Sequence, residues 1–450
     1  KLLAELPLQV GSAMNHGQYE SIKASLQNLA MARGYFDARF LTTNVTVYPE
    51  QHSANIRLHF DSGIRYHFGA TEITGSQIKI ERVRSLSPFQ EGDPYLVSQV
   101  GEYNQNLSNT DWFSSVLVEP DLSLLGEGRE LPMKVSLAPQ ARHQLETGLG
   151  YSTDVDVRAS LKWKRPWVNS RGHSFDSSLS VSSPEQTLTA SYRIPLEDVL
   201  NDYYRIHYGM KRVDSRDTKS IESNLALERH WKLDNDWNRT IFIRYLLENY
   251  EQGLQDDNAQ FLLPGITFSR IRARGGSMPM WGDSQYITLE YGSENALSET
   301  DVVRVLGGMK WIRSAGENHR GLFRIDGGAN FADDFDKLSP SLRFFAGGDN
   351  NLRGYGYESI SPKDESGALT GAKYIATTSL EYQYRLYGDW WGALFYDYGD
   401  AFNDTPEFKR GTGVGVRWAS PVGPIRLDFA WGLDKEPNDF KIHFSLGPEL

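Results

Sequence analysis

The sequence predicts an all-β membrane protein, a 16-stranded antiparallel transmembrane β-barrel preceded by N-terminal α+β domains. Three observations lead to this prediction. No stretch approaches the roughly 18–20 consecutive apolar residues that a membrane helix requires. Tyrosine, tryptophan and glycine are abundant, with 23, 11 and 41 copies among 450 residues, as in barrels whose aromatic girdles mark both membrane interfaces. From about Arg142 onwards, apolar and polar residues alternate.

The charge and the cysteine content exclude several kinds of function. The net charge of −11 disfavours nucleic acid as a partner, because binding to phosphates needs a basic surface. The absence of cysteine excludes disulfides, thiol catalysis and cysteine-ligated metals. The opening segment Lys1–Ala4 does not begin a signal peptide, so an exported protein of this sequence is expected to be a mature or truncated form.

The first 141 residues read as a repeated α+β unit. In residues 1–63, apolar positions at helical spacing from Tyr19 to Arg33 precede two strand-like segments. Residues 64–141 read as a strand, two helices and two strands, β-α-α-β-β, and residues 1–63 look like the same unit without its first strand. We therefore expect a partial unit at 1–63, which lacks its first strand, and a complete unit at 64–141. A single α+β domain is the alternative interpretation.

The segment 142–450 is predicted to form the barrel. In Val157–Lys164, four apolar residues on one face alternate with Arg158, Ser160 and two lysines on the other. About sixteen such segments of roughly 10 residues follow one another without a helix, and only a closed sheet leaves no exposed edge in lipid. An even strand count places both chain ends at the periplasmic side. The longest connection, 332–372, is predicted to fold into the lumen.

Catalytic motifs are missing from the sequence. It contains neither H-E-x-x-H nor G-x-S-x-G, and Gly367–Lys373 resembles a phosphate-binding loop only faintly, with the wrong spacing. His443 and Ser445 are of the residue types that outer-membrane phospholipases use, but we expect them to line the lumen. We therefore expect that the protein is not an enzyme and that it uses no cofactor and no catalytic metal.

The long loop contains the most informative motif. Within Gly347–Tyr357, glycines surround Arg353, which allows tight turns and a close approach to a wall. An arginine inside the lumen needs a partner. Glu381 and Asp397 face the lumen on the next two strands, and neighbouring strands lie about 5 Å apart, so both carboxylates could reach one guanidinium. The alternative, that all three are ordinary solvated charges, stays open.

These residues resemble the BamA/TamA superfamily of barrel-assembly proteins. The segment Leu352-Arg353-Gly354-Tyr355 is similar to the superfamily's Arg-Gly-aromatic motif in the sixth extracellular loop. Asp397-Tyr398-Gly399 is similar to its Asp-x-Gly motif on the thirteenth strand, and Glu381 matches an acidic partner on the twelfth. The resemblance implies that Glu381, Asp397 and Gly399 anchor the loop. It also implies POTRA domains in the N-terminal segments.

Within the superfamily, the extended loop sequence and the ending Gly447–Leu450 look most like the TamA family, the barrel subunits of the translocation and assembly module. This resemblance implies an outer-membrane protein with periplasmic N-terminal domains that helps to insert autotransporter-type clients. It implies a TamB-like partner, a periplasmic protein anchored in the inner membrane. TamA proteins carry three POTRA units, so this chain would lack the first and part of the second. Leu450 departs from the more usual C-terminal aromatic residue.

The first and last barrel strands are predicted to form a weak lateral seam for client strands. Gly148 and Gly150 weaken the packing of the first strand, and Gly447-Pro448 limits pairing at the end of the last, because proline has no N–H to donate. The alternative is that these residues merely end strands. Two rival functions remain open, a diffusion porin and a two-partner-secretion translocator.

Overall fold

A computed structural model describes residues 10–125, 128–276, 278–420, 423–434 and 439–446. The chain divides into two compact units. The first contains Lys1–Arg142 with two short segments, Pro166–His173 and Glu197–Leu200, and the second contains the remainder. None of the described helices combines the length and the apolar character of a membrane span.

The first unit begins with helix α1 (His16–Ala32) and an antiparallel pair of strands, β1 (Arg39–Tyr48) and β2 (Ser53–Asp61). The side chain of Asn15 caps α1 by accepting a hydrogen bond from the Gln18 N–H at 3.2 Å, which satisfies one of the donors that a helix start leaves free. The predicted order of one helix followed by two strands is therefore present.

The next five elements form a β-α-α-β-β unit, as predicted. They are β3 (His67–Thr74), α2 (Ile80–Arg84), α3 (Val97–Ser108), β4 (Phe113–Pro120) and β5 (Glu130–Pro139). The sheet order is β3-β5-β4, with β5 parallel to β3 and antiparallel to β4. Val83, Tyr103 and Met133 lie in its buried core, and the Tyr103 hydroxyl donates to the Val83 carbonyl at 3.0 Å. The domain limits at residues 63 and 141 stay predictions.

The second unit is a 16-stranded antiparallel β-barrel, which confirms the predicted fold class. Within the described residues, each strand pairs with its neighbours in chain order. The strands are β6 (Gln144–Ser152), β7 (Asp156–Arg165), β8 (Ser174–Val181), β9 (Glu185–Pro195), β10 (Asp202–Ser215), β11 (Thr218–Lys232), β12 (Asn238–Gln252), β13 (Gln255–Arg274), β14 (Trp281–Gly292), β15 (Val302–Ala315), β16 (His319–Ala332), β17 (Tyr374–Tyr387), β18 (Trp390–Phe402), β19 (Lys409–Ser420), β20 (Gly423–Gly432) and β21 (Asp439–Leu446).

Alternating exposure along the strands explains how a polar sequence forms a membrane wall. On β17, Leu380, Tyr382 and Tyr384 are exposed on the outer face, whereas Glu381 and Gln383 are buried on the inner face. Only every second residue therefore has to be compatible with lipid.

Strands β6 and β21 are the two ends of the sheet order. The rings of Tyr151 on β6 and Phe444 on β21 lie 6.1 Å apart, so the strands are neighbours. Their described residues form no ladder with each other, unlike every other neighbouring pair of barrel strands. Gly148 and Gly150 lie on β6, whereas the predicted seam residues Gly447 and Pro448 lie outside the described residues.

The long connection between β16 and β17 is packed against inward-facing side chains. Leu338 and Leu342 are buried in a cluster with Leu246 and Phe261 of strands β12 and β13. Further along the loop, Phe344 and its neighbours form a second buried cluster with Ala401 of β18. Burial of these apolar groups gives the loop a defined path.

Candidate functional site: a buried loop anchor

The loop backbone meets the backbone of the wall at Gly354, and only glycine fits there. Its φ of +90° lies in the left-handed region, and a Cβ would lie 2.7 Å from backbone atoms of Trp431 and Gly432 on β20. On β19, a Cβ at Gly411 would collide with the Arg353 carbonyl oxygen. Glycines on both sides of the contact therefore let two backbones meet.

Arg353 is 5% exposed and directs its guanidinium into a group of acidic side chains. Nε and Nη2 donate to the two carboxylate oxygens of Asp397, each at 2.8 Å, and Nη1 donates to Glu381 at 2.7 Å. Nη2 also donates to the Ser379 hydroxyl at 3.1 Å, and the guanidinium carbon lies 3.5 Å from the centre of the Phe395 ring. The structure thus brings the three predicted charged residues together in a bidentate arrangement.

Two further charged residues, which the sequence reasoning did not single out, complete the cluster. Asp428 on β20 accepts from Arg353 Nη1 at 3.2 Å. Arg417 on β19 is 1% exposed, donates from Nε to Glu381 at 3.0 Å and contacts Asp428 through Nη1 at 2.6 Å. Two guanidinium groups therefore serve three carboxylates. Removing one partner from such a buried cluster leaves an uncompensated charge, at a cost of about 3–5 kcal/mol.

The other predicted motif residues have different positions. Leu352 is fully buried in the apolar cluster of the loop, and the Tyr355 hydroxyl donates to the Arg410 carbonyl at 3.2 Å. Gly399 is not a partner of Arg353. It pairs with Thr377 on β17, and a Cβ there would lie 2.8 Å from the Thr377 methyl group, so glycine permits close strand packing.

A second polar cluster connects the loop to the β6–β7 turn and to the last strand, β21. Asp349 in the loop accepts from the Thr153 hydroxyl at 3.2 Å, and its N–H donates to Asp154 at 2.8 Å, both in the β6–β7 turn. The same Asp349 carboxylate is hydrogen-bonded to His443 Nδ1 on β21. Burial and the nearby Asp349 charge raise the pKa of Asp154 to about 6. We call Asp154, Asp349 and His443 the seam cluster.

The hydrogen bonds of the seam cluster assign the histidine tautomer. Gly354 N–H donates to His443 Nε2 at 3.1 Å, so Nε2 is unprotonated and Nδ1 carries the proton that it donates to Asp349. A metal ion at Nδ1 would displace that proton and leave both ring nitrogens without one. The three side chains lie close enough to hold a metal ion, but a metal ion at Nδ1 would have to replace the hydrogen bond between Nδ1 and Asp349.

The predicted seam glycines lie apart from the Arg353 cluster. A Cβ at Gly148 would lie 2.6 Å from the Ser160 hydroxyl of β7, whereas Gly150 has open space at that position. Arg417 and Asp428, which the sequence analysis missed, are buried inward-facing residues of their strands, and so is His443, which was expected to line the lumen. The alternating pattern gives their face of the strand but not their partners.

A family model of the Omp85 superfamily domain matches residues 124–449. The chain belongs to the Omp85 superfamily. A model of the POTRA family, described as a surface antigen variable number repeat, matches residues 1–63 of this Omp85 protein. Superfamily membership confirms the expected non-enzymatic class and the outer-membrane location with N-terminal domains in the periplasm.

Curated relatives of this Omp85 chain include an outer membrane protein assembly factor BamA from Nitratidesulfovibrio vulgaris strain Hildenborough. It is 24% identical over 383 residues, which cover 79% of this chain and 48% of the relative. The chloroplastic outer envelope protein 80 of rice is 34% identical over 123 residues, or 24% of this chain and 17% of that protein. The chain thus spans about half the length of the BamA relative and less of the plant protein.

Solved structures show the same Omp85 fold. BamA from Haemophilus ducreyi lacking POTRA domains 1–3 has a TM-score of 0.82 at 15% identity, and the match covers 99% of this chain and 96% of that one. CdiB from Acinetobacter baumannii has a TM-score of 0.54 at 13% identity, with coverages of 99% and 85%. The family-model match confirms the predicted BamA/TamA superfamily, and the narrower TamA assignment stays a prediction.

Proposed function

We propose that this Omp85 barrel helps client proteins insert into the outer membrane, with the seam between β6 and β21 as the place where client strands pair. The observation that supports this proposal is the missing ladder between the described residues of the two end strands. An unsatisfied backbone N–H or C=O costs several kcal/mol in lipid, so a client strand needs a temporary partner until its own barrel closes. An end strand with an unpaired edge offers such a partner by strand addition.

The anchored loop has a supporting role in this proposal. Arg353 binds β17, β18 and β20, and Asp349 contacts both the β6–β7 turn and His443 of β21. The loop therefore stabilises the two sides of the seam through side chains, which are easier to separate than a full backbone ladder. In this role the loop sets how readily the seam opens.

The narrower part of the proposal concerns clients and partners. The similarity of the loop sequence to the TamA family favours autotransporter-type clients and a TamB-like periplasmic partner. A two-partner-secretion translocator is the second candidate, because the CdiB fold is related. A survey of the outer-membrane proteins lost after deletion of the gene separates the two. Loss of several membrane-inserted clients supports the assembly function, whereas loss of one secreted protein contradicts it.

A reversible disulfide across the seam tests the assembly mechanism. These 450 residues contain no cysteine, so the double variant Tyr151→Cys/Phe444→Cys introduces one pair of thiols across the seam. We expect oxidation to stop client assembly and reductant to restore it. Leu161→Cys/Leu179→Cys is the matched control, because these residues are already paired between β7 and β8. Assembly at an unchanged rate through a fully oxidised seam would contradict the proposed function.

A further inference from the structure

An arginine-rich patch surrounds Trp281 on the barrel wall. The guanidinium carbons of Arg274 and Arg313 each lie 4.8 Å from the centre of the indole ring, and that of Arg272 lies 5.5 Å from it. Three cations around one ring repel one another unless an anion compensates them. We call Arg270, Arg272, Arg274, Arg313 and Trp281 the arginine patch.

The arginine patch faces outwards, at the periplasmic edge of the apolar band. Trp281 alternates in phase with Ile287 and Leu289 of β14, which are exposed on the outer face. Antiparallel pairing places Arg272 opposite Asp283, and Asp283 opposite Trp311 of β15, on the same face. The β13–β14 turn lies at the end of the barrel where β6 begins, because successive strands alternate in direction. That end is periplasmic, since the N-terminal domains are periplasmic.

One buried carboxylate holds part of the patch in place. Asp283 is fully buried and accepts from Arg272 Nε and Nη2 at 2.9 and 2.8 Å, and Arg313 Nη2 lies 3.4 Å from it. These contacts fix two guanidinium groups while their side chains remain 42% and 47% exposed. The arrangement is therefore built before any ligand arrives, which lowers the entropy lost on binding.

The patch has more positive charge than its own acid can balance. Arg270 donates to Gln285 at 3.2 Å, and among the described residues Arg274 contacts the Trp281 ring but no carboxylate. Four guanidinium groups against the single carboxylate of Asp283 leave an excess of three positive charges. The nearby Asp236 is paired with Lys232 at 2.8 Å.

We propose that the arginine patch binds the phosphate of anionic phospholipid headgroups in the periplasmic leaflet. Guanidinium groups match phosphate oxygens in a bidentate manner, and tryptophan prefers the level of the headgroups. The patch meets the bilayer where headgroups lie, below exposed Ile287 and Leu289, so a lipid reaches it with its acyl chains on the apolar wall. A soluble phosphate would lack that second contact.

Lipid retention in nanodiscs tests the proposal. The full chain is reconstituted in phosphatidylcholine with a minor fraction of phosphatidylglycerol, and bound lipids are counted by native mass spectrometry. Each basic residue near an anionic membrane surface contributes a factor of about five in binding. We therefore expect Arg274→Gln to lower the preference for phosphatidylglycerol about fivefold, and Arg274→Gln/Arg313→Gln to lower it about 25-fold. Arg274→Lys keeps the charge and should lose less.

The matched control is Arg212→Gln, which removes an exposed outward arginine at the opposite end of the wall. We expect it to keep the wild-type preference. An equal preference in Arg274→Gln and wild type, or an equal loss in Arg274→Gln and Arg212→Gln, would overturn the proposal. So would displacement of the lipid by an excess of inorganic phosphate, because that result indicates a soluble anion site.

Discussion

Replacing Arg353 by alanine removes the residue on which loop anchoring depends most. Asp397 is fully buried, and without Arg353 its remaining side-chain partner is the Ser379 hydroxyl at 2.6 Å. Glu381 still accepts a hydrogen bond from Arg417 in this variant, so Glu381 is destabilised less than Asp397. Because Asp397 loses its bidentate hydrogen bonds to the Arg353 guanidinium, we expect Arg353→Ala to destabilise the docked loop by about 3–5 kcal/mol.

Amide hydrogen exchange of the loop in lipid nanodiscs measures this free energy directly. The N–H groups of Phe344 and Ala346, which bond within the folded loop, should lose protection in Arg353→Ala by about two to four orders of magnitude, at about 1.4 kcal/mol per factor of ten. The double variant Arg353→Ala/Asp397→Ala removes both charges and should recover part of the loss, with a coupling of roughly 1–3 kcal/mol. Wild-type protection in Arg353→Ala would refute the anchoring role of the cluster.

Further predictions concern single contacts. Gly354→Ala should lower loop stability by at least about 1–3 kcal/mol, because backbone strain and a backbone collision combine. Gly367→Ala, at a positive φ but in open space, should cost only the strain. Amide exchange protection of the loop in the two variants measures the difference. The pKa of Asp154 is raised from its ordinary value of 3.8 to about 6, so the docked loop binds this proton more tightly than the undocked loop does. Docking of the loop should therefore weaken as the pH rises from about 4 to 6, and should not change further above that. Asp154→Asn should remove that pH dependence, as exchange of the Asp349 N–H would report.

The barrel could be predicted because the membrane imposes a simple rule on each strand. On β17 and β18, alternate residues from Leu380 and Leu394 face lipid, and the residues between them face inwards. A period of two is visible in the sequence without any partner being known. The glycine-rich segment around Arg353 was visible for a similar local reason, since its conformation depends on the glycines themselves.

The partners of the buried charges could not be predicted in the same way. Arg417 and Asp428 are inward residues on β19 and β20, like many other polar residues of the barrel. Which of them meet depends on strand register, and a shift by one residue turns a side chain to the other face. The contact of Asp349 with His443 depends in addition on the path of the 41-residue loop between β16 and β17, which local patterns do not determine.

The central claim is that client strands pair at the seam, and cross-linking of a stalled client tests it most directly. Leu149→Cys places a thiol on the exposed outer face of β6, and Ile243→Cys places one on the exposed face of β12, which is paired on both sides. A client arrested during assembly carries a cysteine in its terminal strand. We predict disulfide formation with Leu149→Cys and none with Ile243→Cys. Equal cross-linking at both positions, or none at β6 while clients still assemble, would contradict the claim.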